Sequence, residues 1–405
     1  MSARVLEIEA QFLYIPGSMI ISFDDSQTHT AAVRLVRAVQ GLDLGKLRDV
    51  HELYKNVVHD RLGVEEATRQ LHDIRKRPQK YNKWLLVLVY GLASASVGPF
   101  AFGARPIDLP IAFLLGTIVG ILQLHFAPRS ELYSNVFEVT AVVLTSFLAR
   151  AFGSIRGGNL FCFSALAQSA IALILPGYTV LCASLELQSR SIVAGSVRMV
   201  YAIIYSLFLG FGIMIGTALY GRIDSNATSA TQCENSIAAP YFFISVPIFT
   251  LCLIVINQGK WKQMPVMLVI SFAGYVSSYF TSKRFASNSQ IASTLGAFVI
   301  GVMANLYSRV GKRSTAMLPA IFVQVPSGLA VSGSLISGLA SANQINSKTN
   351  STTETTTQST STLDSLAFGV SISVVQVAIG ITVGLFLAAM VVYPSGKRRS
   401  GLFSF

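Results

Sequence analysis

The sequence predicts an α-helical polytopic membrane protein. About ten transmembrane helices form two inverted five-helix repeats, preceded by a small cytosolic α+β domain. Three observations lead there. Charge is scarce and uneven: of the 50 charged residues (31 Lys or Arg, 19 Asp or Glu) among 405, 24 lie in residues 1–83 and 26 in the other 322. Ten apolar runs follow residue 83, most of them near the roughly 20 residues a helix needs to cross hydrocarbon. Two of those runs, at matching positions in the series, are interrupted by Pro and Gly.

The soluble unit comes first. QFLYIPGSMIISF (11–23) is rich in strand formers and turns at Pro16-Gly17, and TAAVRLVRAV (30–39) alternates apolar and basic residues as a half-buried strand does. DLGKLRDVHELYKNVV (43–58) sets Leu44, Leu47, Val50, Leu53 and Val57 at helical spacing, Gly63 interrupts, and VEEATRQLHDI begins a second helix. So small a unit builds little core, so it is expected to lean on the membrane part or on a partner chain. His51, His59 and His72 read as solvated helix histidines, because no HExxH spacing accompanies them.

The runs lie near 84–104, 109–127, 133–153, 160–186, 198–220, 240–256, 263–281, 290–308, 314–340 and 366–393. The organisation that follows is a cytosolic domain (1–83), a first five-helix module (84–220), a non-cytoplasmic loop (221–239), a second module (240–393) containing a Ser/Thr-rich loop (341–363), and a basic cytosolic tail (394–405). With ten spans, the segments assigned to the cytoplasm carry 16 Lys and Arg from Arg75 onward, and the opposite side carries 7. Basic residues hold loops on the cytoplasmic side, so both termini are expected there. The sequons at Asn226 and Asn350 fall in loops on the other face, where glycosylation occurs.

The fourth run contains ALILPGYTV, with Pro176 and Gly177. The ninth contains FVQVPSGLAV, with Pro326 and Gly328. Each is the fourth span of its five. Because five is odd, the second set enters the membrane from the opposite face. Proline removes a backbone N–H and clashes with the preceding turn. A broken helix is tolerated in a bilayer where protein or a wet cavity surrounds it. Interrupted spans at matching positions of inverted halves point to a solute site near the midplane. The residues expected to serve it are Pro176, Gly177, Tyr178 and Thr179 at one break and Gln324, Pro326 and Gly328 at the other. Gln168 and Asn305 are candidate hydrogen-bonding groups, for solute or between helices. Glu138, a carboxylate inside the third span, is a candidate proton or cation site. Glu186 and Arg190 read as a surface ion pair closing the fourth span, and Arg198 as an interfacial anchor of the fifth.

Other classes are disfavoured. The net charge of +12 is explained by membrane orientation, and no basic stripe interleaved with aromatics suggests nucleic acid. Cys162, Cys182 and Cys252 lie in apolar runs and Cys233 in a polar loop; no disulfide framework, metal site or cofactor is indicated. MSARVLEIEA lacks the apolar core of a cleaved signal peptide.

FLYIPGSMIISF, LDLGKLRDVHELYKNVVHD, YSNVFEVTAVVLTSFLARAFGSI and ALILPGYTVLCASLELQSRSIVAGSVRMVYAIIYSLFLGFGI closely resemble the fungal pheromone-regulated membrane protein 10 group of the threonine/serine exporter superfamily. GAFVIGVMANLYSRV and MLPAIFVQVPSG look like that superfamily's second membrane module. The resemblance implies a cytosolic N-terminal domain, ten membrane helices and, from bacterial relatives, export of small amino acids. Relatives begin with a long polar tail and an amphipathic helix, so it also implies an incomplete soluble unit. The family's N-terminal domain has been likened to a hydrolase, but no GxSxG or paired nucleophile and base is present here. The expectation is therefore a non-enzymatic secondary exporter of threonine- or serine-like amino acids, coupled to protons. Its partners are the bilayer and the solute, and assembly with copies of itself is left open. The alternative is a non-transporting membrane protein of pheromone response, mating or cell fusion. Nothing in the chain separates a vacuolar from a plasma-membrane address.

Overall fold

The computed structural model describes residues 9–25, 30–37, 41–158, 160–224, 227, 233, 237, 239–285, 289–311, 318–324, 375 and 378–394. It begins with a three-stranded antiparallel meander, β1 (Glu9–Ile15), β2 (Ser18–Asp25) and β3 (Thr30–Arg37), with Phe12 opposite Ile21 and Ile21 opposite Arg34. Pro16 and Gly17 make the first turn. Gly17 has φ +90°, a conformation that costs glycine least. β3 departs from the half-buried expectation. It is an edge strand and all eight of its residues are exposed, because among the described residues no second layer covers it.

α1 (Leu44–Val58) starts where Asp43 accepts a hydrogen bond from the Lys46 amide at 2.8 Å, an ordinary N-cap. α2 (Val64–Lys76) packs back on it through Leu53, Ala67 and Ile74. That miniature core does lean on the membrane part. The Leu44 amide donates to the Asn257 carbonyl at 3.0 Å, and Leu44 joins a buried cluster with Ile254, Met264 and Met267. Lys260 pairs with Asp49, and the Lys80 amide donates to Gln258 Oε1 at 3.1 Å.

The remaining described chain is helical: α3 (Lys83–Phe102), α4 (Leu109–Ile121, running on through a π-helical turn at Leu122–Phe126), α5 (Glu131–Gly153), α6 (Phe163–Ile171), α7 (Gly177–Gln188), α8 (Ile192–Ile223), α9 (Phe242–Ile256), α10 (Met264–Arg284), α11 (Ser289–Gly311), α12 (Leu318–Gln324) and α13 (Ala378–Val392). Among the described residues six helices are long and apolar enough to cross a membrane: α3, α4 with its flanks, α5, α8, α10 and α11. α9 and α13 are apolar and shorter. α6 and α7 together occupy the fourth apolar run.

Similar contacts recur in the two membrane halves. α8 lies so close to α5 that a Cβ at Gly216 would meet the Val143 carbonyl, and α13 lies so close to α11 that a Cβ at Gly384 would meet the Thr294 carbonyl. Near the C-terminal end of α5, Arg150 donates to the Thr217 carbonyl of α8 at 2.7 Å. Near the C-terminal end of α11, Arg309 donates to the Val392 carbonyl of α13 at 2.9 Å.

Two expectations about cysteine and charge are corrected. Cys162, just before α6, and Cys233, in the α8–α9 connection, form a disulfide rather than standing as an apolar filler and a lone loop thiol. Spacing alone gave no hint, because 71 residues separate them. Glu186 does not pair with Arg190. α7 stops at Gln188, Arg190 turns out of the helix with φ +65°, and Glu186 instead meets Arg198.

Candidate functional site

The site is built around the interruption of the fourth run. All nine residues of α6 are buried, and the helix ends at Ile171. After five intervening residues α7 starts at Gly177, with Pro176 at its N-cap and no side chain capping that end. Proline has no N–H for the Ala172 carbonyl, and the interruption between α6 and α7 leaves neighbouring carbonyls without their helical partners as well. One is recovered across the bundle: the Tyr205 hydroxyl of α8 donates to the Ile174 carbonyl at 3.1 Å.

α12 lies across this break. The rings of Tyr178 and Phe322 are 5.3 Å apart. Leu181 of α7 is buried in one cluster with Ala320, Ile321, Ile270 and Ile300, while Ala172, Leu173, Phe322 and Val323 all pack against a second cluster that includes Ala93, Val97 and Phe249. The break in the first half therefore meets the short helix of the second.

Beside it opens a cavity of about 850 Å³. Its walls are Tyr178, Leu181, Cys182, Leu185 and Glu186 of α7, the start of α8, Ile321 of α12, and Phe12, Leu13 and Tyr14 of β1. Its charged wall is organised. Arg198 Nε donates to Glu186 Oε2 at 3.0 Å, and the Arg198 amino group donates to the Tyr14 hydroxyl at 2.7 Å. The N-terminal sheet is thus tied into the same cavity as the interrupted helix.

The expected site residues divide. Tyr178 lines the cavity, and Pro176 and Gly177 form its adjoining break. Thr179 is in the first turn of α7. Gln168 is buried inside α6 and donates to Ser164 Oγ at 2.9 Å, an intrahelical bond. Gln324 ends α12, its amide wedged beside Gly274 and Gly296, with Nε2 lacking a partner among the described residues. Asn305 is buried on α11, and both its amide atoms lack partners among the described residues. Glu138 does not line the cavity; it faces α8, within electrostatic reach of Tyr201 and Tyr205. Pro326, Gly328, Asn226 and Asn350 lie outside the described residues. Sequence reasoning missed Tyr14 altogether, and it treated Glu186 and Arg198 as unrelated surface groups.

Two family models match the chain. A threonine/serine exporter model matches residues 1–220, and a second, described as Threonine/Serine exporter, ThrE, matches residues 242–391. The chain belongs to the threonine/serine exporter family. An uncharacterized Schizosaccharomyces pombe protein is 58% identical over 410 residues, covering 100% of this chain and 53% of that protein. Pheromone-regulated membrane protein 10 of Candida albicans is 53% identical over 408 residues, covering 100% of this chain and 37% of its own length. Pheromone-regulated membrane protein 10 of Eremothecium gossypii is 52% identical over 406 residues, covering 100% of this chain and 54% of its own length. This threonine/serine exporter family member thus spans between about a third and about half of those relatives. No solved structure matches it. Family membership and the apolar helices together make it a multi-pass membrane protein of an exporter family.

Proposed function

We propose that this chain is a secondary transporter that exports small amino acids of the threonine/serine type, driven by protons. The observation that carries the reading is the cavity at which interrupted α6–α7, α12 and the N-terminal sheet converge. An interrupted helix leaves N–H groups at the start of its second half, and these favour a solute carboxylate.

Ten crossings in two inverted halves fit the recurring contacts. α5 and α8 pack as α11 and α13 do, each pair pinned by an arginine donating to a carbonyl, Arg150 to Thr217 and Arg309 to Val392. In the ten-span arrangement those two arginines lie on opposite faces, as inversion requires. The orientation with cytosolic termini has its own support. Cys162 and Cys233 both belong to the face poorer in Lys and Arg, and disulfides persist outside the cytosol. The N-terminal elements touch the other face, at the 257–260 connection and at Arg198.

Glu138 is the proposed proton site. It lies within electrostatic reach of Tyr205, whose hydroxyl holds the Ile174 carbonyl, so a change of charge there can be felt at the break through one side chain. Pro326 and Gly328 are proposed to complete the second half's break, and Asn305 and Gln324 to offer solute or water the amide atoms that lack partners among the described residues.

The deciding experiment reconstitutes the full chain into liposomes with labelled threonine, serine and a panel of other amino acids under an imposed pH gradient. Gradient-dependent flux above empty vesicles is expected. Absence of flux for the whole panel overturns the reading. It would favour a second one, a role in pheromone response without transport, which the printed name of several relatives suggests.

A further inference from the structure

Glu186 and Arg198 are poorly explained as a helix-packing bridge. They stand on either side of the turn between α7 and α8, their side chains 12% and 13% exposed, and they border the cavity rather than a packed seam. Leu181, Leu185, Ile192 and Val193 make much of the nearby wall apolar, with Arg190, Ser191 and Tyr178 among its other polar residues. Withdrawing both charges from water to this degree costs about what their attraction returns, so the pair adds little to stability there.

Its chemistry suits a zwitterion. An α-amino acid carries a carboxylate and an ammonium on one carbon, so Arg198 can meet the first while Glu186 meets the second. The guanidinium is a planar fork of five donors that matches a carboxylate with two parallel bonds. In the structure one arm of that fork is taken by an acceptor that is not charged, the Tyr14 hydroxyl at 2.7 Å. That oxygen stands where a carboxylate oxygen would bind.

We infer that Arg198 and Glu186 form the cytosol-facing seat for the α-carboxylate and α-ammonium of the solute, with the Tyr14 hydroxyl holding the carboxylate's place until solute displaces it. This rests on the transport reading and on its orientation. Two consequences follow. The cavity, about 850 Å³, is larger than one small amino acid needs, so selection falls on the two charged groups more than on the side chain. The N-terminal sheet also closes the seat from the cytosol, and solute entry must loosen it at Tyr14.

The test uses the full chain, with flux of labelled L-threonine in liposomes and thermal stabilisation by L-threonine in detergent. L-serine should compete, while N-acetyl-L-threonine and L-threoninamide, each lacking one charge, should not. Arg198→Lys and Glu186→Gln should raise KM roughly tenfold or more, the loss of one charge-assisted hydrogen bond. Tyr14→Phe should lower it, because the carboxylate loses its competitor; a purely structural hydroxyl would leave KM unmoved or raise it. Competition by both blocked analogues as strong as that by serine overturns the seat, and it needs no variant to fold. Flux with unchanged KM in both charge variants overturns the seat and leaves transport standing. Stabilisation by threonine, abolished by the charge changes but without flux, keeps the seat and removes transport. Neither stabilisation nor flux removes both.

Discussion

The Tyr205 hydroxyl donates to the Ile174 carbonyl at 3.1 Å, so a side chain of α8 satisfies a backbone acceptor released where α6 is interrupted. Water cannot freely serve that carbonyl inside a bilayer, and a buried unmet acceptor is unfavourable. Tyr205→Phe keeps the ring and removes the donor. It should destabilise the detergent-solubilised chain by about 1 kcal/mol, read from thermal unfolding. Flux should fall more than stability does, since the break itself is left to shift.

The disulfide gives a prediction about both stability and sidedness. Cys162 and Cys233 are 71 residues apart, and the bond ties the entry of α6 to the connection between α8 and α9. Closing a loop of that length limits the unfolded chain, and its loss should cost about 2–4 kcal/mol. Cys162→Ser, Cys233→Ser and the double change should cost the same, because all three remove one bond. In sealed vesicles, a membrane-impermeant maleimide should reach Cys233 of the Cys162→Ser variant from the non-cytosolic side, with the double variant as background. Labelling confined to the cytosolic side would reverse the proposed orientation.

Docking of the N-terminal unit hangs on close backbone approach. A Cβ at Gly45 would come within 2.8 Å of the Gln258 carbonyl oxygen, an atom that cannot swing aside as a side chain would. Gly45→Val should therefore push α1 off the 257–260 connection and break the Leu44–Asn257 hydrogen bond. Overpacking of this kind costs roughly 1–3 kcal/mol. Limited proteolysis should then cut the chain between residues 41 and 83 faster, while α3 to α8 stay protected. By contrast, Arg77→Ala should change little, since that guanidinium is well exposed where it meets Asp49.

What could be read from the sequence was what neighbouring residues decide. The β1–β2 turn was legible because Pro16-Gly17 has strong local demands. α1 was legible from the helical spacing of Leu44, Leu47 and Val50. The interruption at Pro176 was legible because proline acts within one turn of itself. The contacts that shape the cavity are decided elsewhere. Tyr14 and Arg198 are 184 residues apart, and only docking of the sheet brings them together. Glu186 and Arg190 read as a surface pair because both stand where the fourth run closes, yet α7 ends at Gln188 and Arg190 turns out of it. β3 alternates like a half-buried strand, yet alternation states only which face an apolar set shares; it does not supply the layer to cover it. Gln168 and Glu138 were chosen for being polar in apolar runs. One proved to be bonded within its own helix, and the other faces α8 rather than the cavity.

Glu138→Gln is the sharpest test of coupling. The amide has the carboxyl's size and resembles its protonated form, so α5 should pack as before and the chain should reach the membrane in normal amount. Glu138 lies within electrostatic reach of Tyr201 and Tyr205. A carboxylate placed there without a cation is costly, and the proposed role has it carry a proton during part of the cycle. If that proton is released once per cycle, the glutamine variant should lose acceleration by a pH gradient while keeping exchange of labelled for unlabelled threonine, which needs no net proton movement. Flux that still rises with the gradient as in the unaltered chain would remove Glu138 from coupling and leave the seat at Arg198 and Glu186 to be judged on its own data.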